Sequence, residues 1–482
     1  MSTDETEPQS SRVLGHGLVY VAGTVLQNGL GLLLLPVVTR VLGVEEYGLA
    51  GTGVAVAVML AIVYGLGISY SSVRYYYDDP PTARSARWAA LLRVQVLIAA
   101  ALAGVTFATG PIWAGVFEDF GWNGALQAAV IYGFAISVQT TTQGILRAAR
   151  RPVSFVLASL VQAGVGAGLG IALATEHDAV GYIAGLTIGS LLAALIAAGV
   201  SYRAPAWDRE TISGGIRLGL PAMVHSLANW GLDLAMRLMV AGYLGLAAVG
   251  RYQVAFLLGS ALTLVLTGIQ SAYTPFYVGE LSPEERRATP AVLMLPVTAV
   301  VLAATMLLVL LAPVLLEILV PSGFHGTELV LGLAAASTIA RGAYYVATAV
   351  LLDFKRSASL ARGSLAGAAL AVVLAVALIP TVGVEGAAIA AIAGVMTQAA
   401  VVIHDAGRRL GQSLHLPLLV TTWIAGAGAL AGLSQIPDSE AGTVVRVALA
   451  LCVAAGGLLS VQWLRRSFAG ARRAAGAPLC SM

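Results

Sequence analysis

Four polar residues recur at four-residue intervals inside one apolar stretch, HSLANWGLDLAMRL at 225–238: His225, Asn229, Asp233 and Arg237. On a helix each is rotated about 40° from the last, so together they cover a stripe about 120° wide and ~18 Å long. Asp233 and Arg237, acid first and four apart, can neutralise each other as a helix pair, or can handle an ion or a charged substrate. A charge at mid-bilayer costs at least ~2.5 kcal/mol, so both uses require a bundle interior or water around the pair.

A second cation, Arg341, sits in the apolar stretch 328–352 with no acid within four residues. An intramembrane arginine without an acidic neighbour is an anion-site candidate, because the planar guanidinium fork matches phosphate and carboxylate oxygens. The bland reading is a bond to helix carbonyls or to Asp233 from another segment. Tyr344, three residues on, shares its helix face. Only three asparagines occur in the chain, and two of them, Asn28 and Asn229, are 201 apart. Gln27, Gln139, Gln143 and Gln270 add amides suited to sugar hydroxyls, although ordinary packing between helices uses such amides too.

These residues must be held by membrane helices. Hydrophobic residues make up 58% of the 482 and charged residues 11%, far from the roughly 25% charged composition of a soluble domain. Apolar runs bounded by charge or Gly/Pro clusters give about fourteen spans. Of the 27 Lys and Arg residues, all but Arg40, Arg251, Arg446, Arg237 and Arg341 fall on one side if both ends of the chain are cytoplasmic. The net charge of +3 therefore reflects topology and attraction to an anionic leaflet, and no nucleic-acid partner is needed to explain it. The first apolar run is too long for a signal-peptide core and is expected to stay as an anchor. The loops are short, which weighs against a membrane glycosyltransferase or polymerase with an external catalytic loop.

An internal repeat organises the spans. VLGVEEYG at 41–48 matches YLGLAAVG at 243–250 at an offset of 202, and GIS at 67–69 matches GIQ at 268–270. VGYIAG at 180–185 resembles VEGAAI at 384–389. The expected architecture is an all-α polytopic membrane protein with about 14 transmembrane helices. They form two six-helix lobes related by pseudo-twofold symmetry, plus two C-terminal helices. The corresponding divisions are a cytoplasmic tail at 1–13, an N-lobe at 14–213, a C-lobe at 214–410, two further spans at 411–464 and a basic cytoplasmic tail at 465–482. Gly164, Gly166, Gly168 and Gly170 lie in an apolar context with no strand before them, so they read as helix packing and not as a nucleotide loop. No Walker motif, HExxH or paired CxxC occurs, so neither ATP drive, metal chemistry nor a cofactor is expected.

A family resemblance rests on particular stretches. VLQNGLGLLLLP at 25–36, followed by TRVLGVEEYG at 39–48, resembles the first two spans of the polysaccharide and oligosaccharide flippases of the O-antigen type. These belong to the multidrug, oligosaccharidyl-lipid and polysaccharide exporter superfamily. Asp233 with Arg237, LGLAAVGRY at 244–252 and GVEGAAIA at 383–390 extend the similarity over most of the chain. The Arg-Asp pair that marks lipid II flippases in span 1 is absent, and Gln27 and Asn28 occupy that part of the helix.

The resemblance implies carriage of a polyprenyl-(di)phosphate-linked glycan from the cytoplasmic to the outer leaflet of the cell membrane by alternating access. Arg341, assisted by Arg237, would attract the phosphate or an acidic sugar; Gln27, Asn28, His225, Asn229 and Tyr344 would face the glycan. Asp233 would serve either as partner of Arg237 or as an ion-coupling site. The expected partners are that substrate, membrane lipids and polysaccharide-assembly proteins. The alternatives are a multidrug/cation antiporter of the same superfamily, a glycosyltransferase or polymerase, and a non-transporting assembly scaffold.

Overall fold

The computed structural model describes residues 9–78, 81–115, 121–149, 151–201, 209–279, 281–354, 356–437 and 439–474. Side chains of residues 9–29, 76–78, 81–85, 152, 200, 201, 222, 225, 228, 229, 271, 272, 275, 279, 357 and 468–474 lie outside this description. Among the described residues the chain is helical, with no strand. Contacts divide it into two compact units, Met1–Gly250 and Arg251–Met482.

The first unit contains α1 (Gln9–Gly65), α2 (Ile68–Asp78), α3 (Pro81–Ala108), a short α4 (Gly110–Ala114), α5 (Gly124–Ala148), α6 (Pro152–Leu160), α7 (Gly166–Ser201) and α8 (Arg209–Leu244). The chain continues through α9 (Leu246–Gly259) into α10 (Leu262–Gly279), α11 (Pro283–Leu310), α12 (Ala312–Leu319), α13 (Glu328–Asp353), α14 (Ser357–Val382), α15 (Val384–Leu410), α16 (Leu416–Ser434) and α17 (Glu440–Ala474).

Among the described residues nine helices are long and apolar enough to cross a membrane, and α9 with residues 262–270 of α10 is so as a pair, bent by 48° between them. Two of the nine contain two spans each. α1 breaks at Gly43 (φ 69°, ψ −177°), and α7 breaks at His177 and Asp178, the latter at φ 47°. With these divisions, and with the 25-residue α5 and 36-residue α8, every one of the fourteen segments read from hydropathy has its helix.

Local chemistry accounts for many boundaries. Asn123 caps α5 by accepting from the Leu126 amide at 2.9 Å, and Ser282 with Glu285 forms a full capping box ahead of α11, satisfying amides that a helix start leaves open. Within spans, threonine hydroxyls fold back onto the carbonyl one turn earlier, as at Thr39, Thr52, Thr187 and Thr298, so their donors are not exposed to hydrocarbon.

The repeat recurs in backbone geometry. Gly43 and Gly245, equivalent at the offset of 202, both take positive φ (69° and 81°), a conformation that glycine enters without a Cβ penalty. The two arms of α7 form a close-packed hairpin in which Gly166 meets Gly189 and Gly170 meets Gly185. Gly164 and Gly168 face open space, so the glycine-rich run has one packing face. In the second unit α14 and α15 repeat this hairpin: a Cβ on Gly181 would collide with the Leu173 carbonyl, and one on Gly386 with the Leu378 carbonyl, both 205 residues further on.

The repeat puts the span of α8 at the head of the second copy, whereas its packing is with the first unit. Its contacts run antiparallel along the second half of α1 and along α2. Ser71 Oγ donates to Gly215 O at 2.6 Å, Gly67 abuts Gly219, and Gly231 lies near Met59.

Candidate functional site

α8 positions Asp233 and Arg237 on one face, and the structure joins them. Arg237 Nη2 lies 3.0 Å from Asp233 Oδ2, with the side chains 19% and 32% exposed. Arg237 Nη1 also donates to Gly51 O at 2.8 Å, so the guanidinium ties α8 to the second half of α1. The other two members of the stripe, His225 and Asn229, have helical backbone in α8 but side chains outside the described residues. The same holds for Gln27 and Asn28 in α1.

Arg341 lies in the middle of α13, half-buried among buried neighbours. Its Nε is enclosed and unbonded, and no hydrogen bond or ion pair reaches its side chain from the described residues. Tyr344 packs against Tyr345 with ring centroids 5.5 Å apart. Tyr345 Oη is 3.3 Å from Thr267 Oγ1 of α10. A guanidinium has five N–H donors and no acceptor capacity, so the enclosed Nε of Arg341 leaves a donor unanswered among the described residues.

The glutamines divide differently. Gln139 Nε2 donates to Gln162 Oε1 at 2.5 Å, and Gln143 Nε2 to Ser159 Oγ at 3.5 Å. Both tie α5 to the segment that follows it, which is the packing role. Among the described residues no three His, Cys, Asp or Glu side chains gather to hold a metal.

The first unit also contains a cavity of about 740 Å³. Its walls are Val58, Ala61, Ile62 and Gly65 of α1, Gly67, Ser69, Tyr70 and Val73 around and on α2, Ile136, Ser137, Thr140, Thr141 and Arg147 of α5, and Met223, Ser226 and Trp230 of α8. On α8 the spacings are three and four residues, and on α5 Thr140 precedes Arg147 by seven, so each helix offers one face. The helix break at Leu66 (φ 47°) and Gly67 (φ 68°) lies on this wall.

Ser137 Oγ is spent on Phe134 O at 2.8 Å, and Ser69 Oγ reaches Thr140 O at 3.4 Å. The hydroxyls of Tyr70, Thr140, Thr141 and Ser226 make no hydrogen bond within the described residues. Arg147 lines the cavity with its guanidinium carbon 5.6 Å from the Phe155 ring centroid. Sequence reasoning counted Arg147 only towards topology. The usable signal was the hydroxyl stripe Ser137, Thr140, Thr141 leading to it along one helix face.

The polysaccharide biosynthesis protein family model matches residues 13–278. No curated protein matches the chain in sequence. The fold is similar to that of the lipid II flippase MurJ in an inward closed conformation, with TM-score 0.69 and 13% identity over 93% of this chain and 99% of that one. An inward-facing multidrug resistance MATE family transporter follows at TM-score 0.64 and 16% identity, covering 84% of this chain and 99% of that one. A transporter of the same superfamily from Pyrococcus furiosus has TM-score 0.57 and 16% identity, covering 83% and 96%. These structural relatives are multi-pass membrane transporters and flippases, and this chain is a multi-pass membrane protein with their fold. The chain belongs to the polysaccharide biosynthesis protein family.

Proposed function

We propose that the chain is a flippase, not an enzyme, that moves a polyprenyl-(di)phosphate-linked oligosaccharide from the inner to the outer leaflet of the cell membrane by alternating access. Both termini are cytoplasmic in this reading, which puts most basic residues on the inner side. The observation that carries it is Arg341: an intramembrane guanidinium with an enclosed, unbonded Nε is stable when a mobile anion visits it, and a lipid-linked phosphate is such an anion. Family membership and the likeness to a lipid II flippase support the same reading.

Arg237 is engaged by Asp233 and Gly51 O, so its part is secondary: it receives phosphate or acidic sugar only when that pair opens. Gln27, Asn28, His225, Asn229 and Tyr344 contact the glycan, and the polyprenyl tail stays in lipid. The test is export of the native glycan in cells carrying Arg341→Ala or Arg237→Ala at normal membrane levels. Losing one charge-assisted contact lowers export about tenfold or more for Arg341→Ala; unchanged export in both variants removes the anion site.

The likeness to multidrug transporters favours one second reading, a cation antiporter working through Asp233. It requires dye efflux abolished by Asp233→Asn with surface glycan unchanged.

A further inference from the structure

We infer that the cavity of the first unit is a binding site for an anionic sugar, with Arg147 as its anion anchor and Trp230 as its flat wall; the ligand class rests on the flippase reading above. Three independent features of the cavity converge on that chemistry. Its volume of about 740 Å³ lies within the range of small-molecule sites, about 300–1,000 Å³, and accommodates a sugar headgroup with its phosphate.

Four of its hydroxyls are uncommitted among the described residues. Tyr70, Thr140, Thr141 and Ser226 line the space without a hydrogen bond to another described residue, and a hydroxyl both donates and accepts, as a sugar's hydroxyls require. Trp230, 53% exposed, also lines the space, and an aromatic ring suits the apolar face of a pyranose ring.

Among the described residues the one cation on the wall is Arg147, in the last turn of α5. Stacking on Phe155 restrains the guanidinium plane, and a restrained planar fork loses less freedom when it grips a phosphate or carboxylate. Aliphatic residues of α1 line another part of the cavity. Arg147 thus differs from Arg341: it is exposed and sits where a substrate from the inner leaflet would first meet the protein, whereas Arg341 is half-buried with its Nε enclosed.

The experiment uses the full chain in cells whose own copy is deleted. Deletion must abolish glycan export; if it does not, the flippase reading fails and the site is judged by labelling alone. On that background Arg147→Ala, and Ser226→Trp to fill the cavity, are each expected to lower export about tenfold or more at normal membrane level. Arg147→Lys should retain more than Arg147→Ala, which a purely structural role would not require. Parental export in both Arg147→Ala and Ser226→Trp overturns the site.

In reconstituted vesicles, a monosaccharide linked to undecaprenyl diphosphate should slow maleimide labelling of Thr140→Cys, and dissolved glucose 1-phosphate should not. Protection by the soluble phosphate alone would reassign the cavity to a cytoplasmic phosphosugar, and protection by neither would overturn the inference.

Discussion

Gly48 and Gly250 pack so closely that neither position has room for a Cβ. A Cβ on Gly48 would collide with the Leu246 carbonyl and lie 2.8 Å from the Gly250 amide nitrogen; one on Gly250 would collide with the Val44 carbonyl and lie 3.3 Å from the Gly48 nitrogen. Val44 and Leu246 are equivalents in the internal repeat, as are Gly48 and Gly250, so the two copies of the motif pack reciprocally. Gly48→Ala and Gly250→Ala should each cost about 1–3 kcal/mol through forced separation of the backbones. The double variant should cost less than the sum, because both break one contact. Thermal unfolding of the purified chain in detergent measures this.

The Asp233–Arg237 pair, at 3.0 Å and less than one-third exposed, should be more costly to break than to delete. Removing one partner of a half-buried pair leaves a charge only partly compensated, about 1–3 kcal/mol. Asp233→Asn is therefore expected to destabilise the chain more than Asp233→Asn combined with Arg237→Gln, and equal loss in both would show that the ion pair contributes little.

The α7 hairpin separates two classes of glycine. Gly185→Ala would drive a Cβ into the Gly170 backbone, whereas Gly168 faces open space. Gly168→Ala should be neutral or stabilising by about 0.5–1 kcal/mol, since alanine is the better helix former. Gly185→Ala should lower the unfolding temperature markedly. The opposite order would contradict the hairpin register.

The break beside the cavity makes a paired forecast. Leu66 holds φ 47°, which costs a side-chain-bearing residue about 1–2 kcal/mol, so Leu66→Gly should preserve or raise stability. Gly67→Ala should lower it, because φ is 68° and a Cβ would strike the Gly219 carbonyl. Unfolding curves for the two variants decide it.

Much of this architecture is legible in the residues alone. Hydropathy locates the spans because hydrocarbon admits only internally bonded helices. The offset of 202 between VLGVEEYG and YLGLAAVG anticipates that Gly43 and Gly245 share a backbone conformation, since an identical local turn needs the same residue freedom. The Asp233–Arg237 contact follows from a spacing of four.

The cavity is not legible in this way. Its walls come from four helices, and the small hydroxyl residues on three of them look like ordinary packing on each helix taken singly. Arg147 is hidden for a related reason: every basic residue at a span end already has an explanation in topology. The packing of α8 along α1 and α2 also escapes, because a repeat gives equivalence between segments and not the neighbours each chooses.

Leaflet translocation in vesicles containing the purified chain, with a fluorescent glycan linked to a polyprenyl diphosphate and an impermeant quencher outside, tests the flippase reading. Protein-dependent transfer is expected that falls about tenfold or more in Arg341→Ala and persists in Arg446→Ala, whose arginine bonds to Ile436 O at another span end. Transfer no faster than in empty vesicles, or equal in the parent and Arg341→Ala, would contradict it.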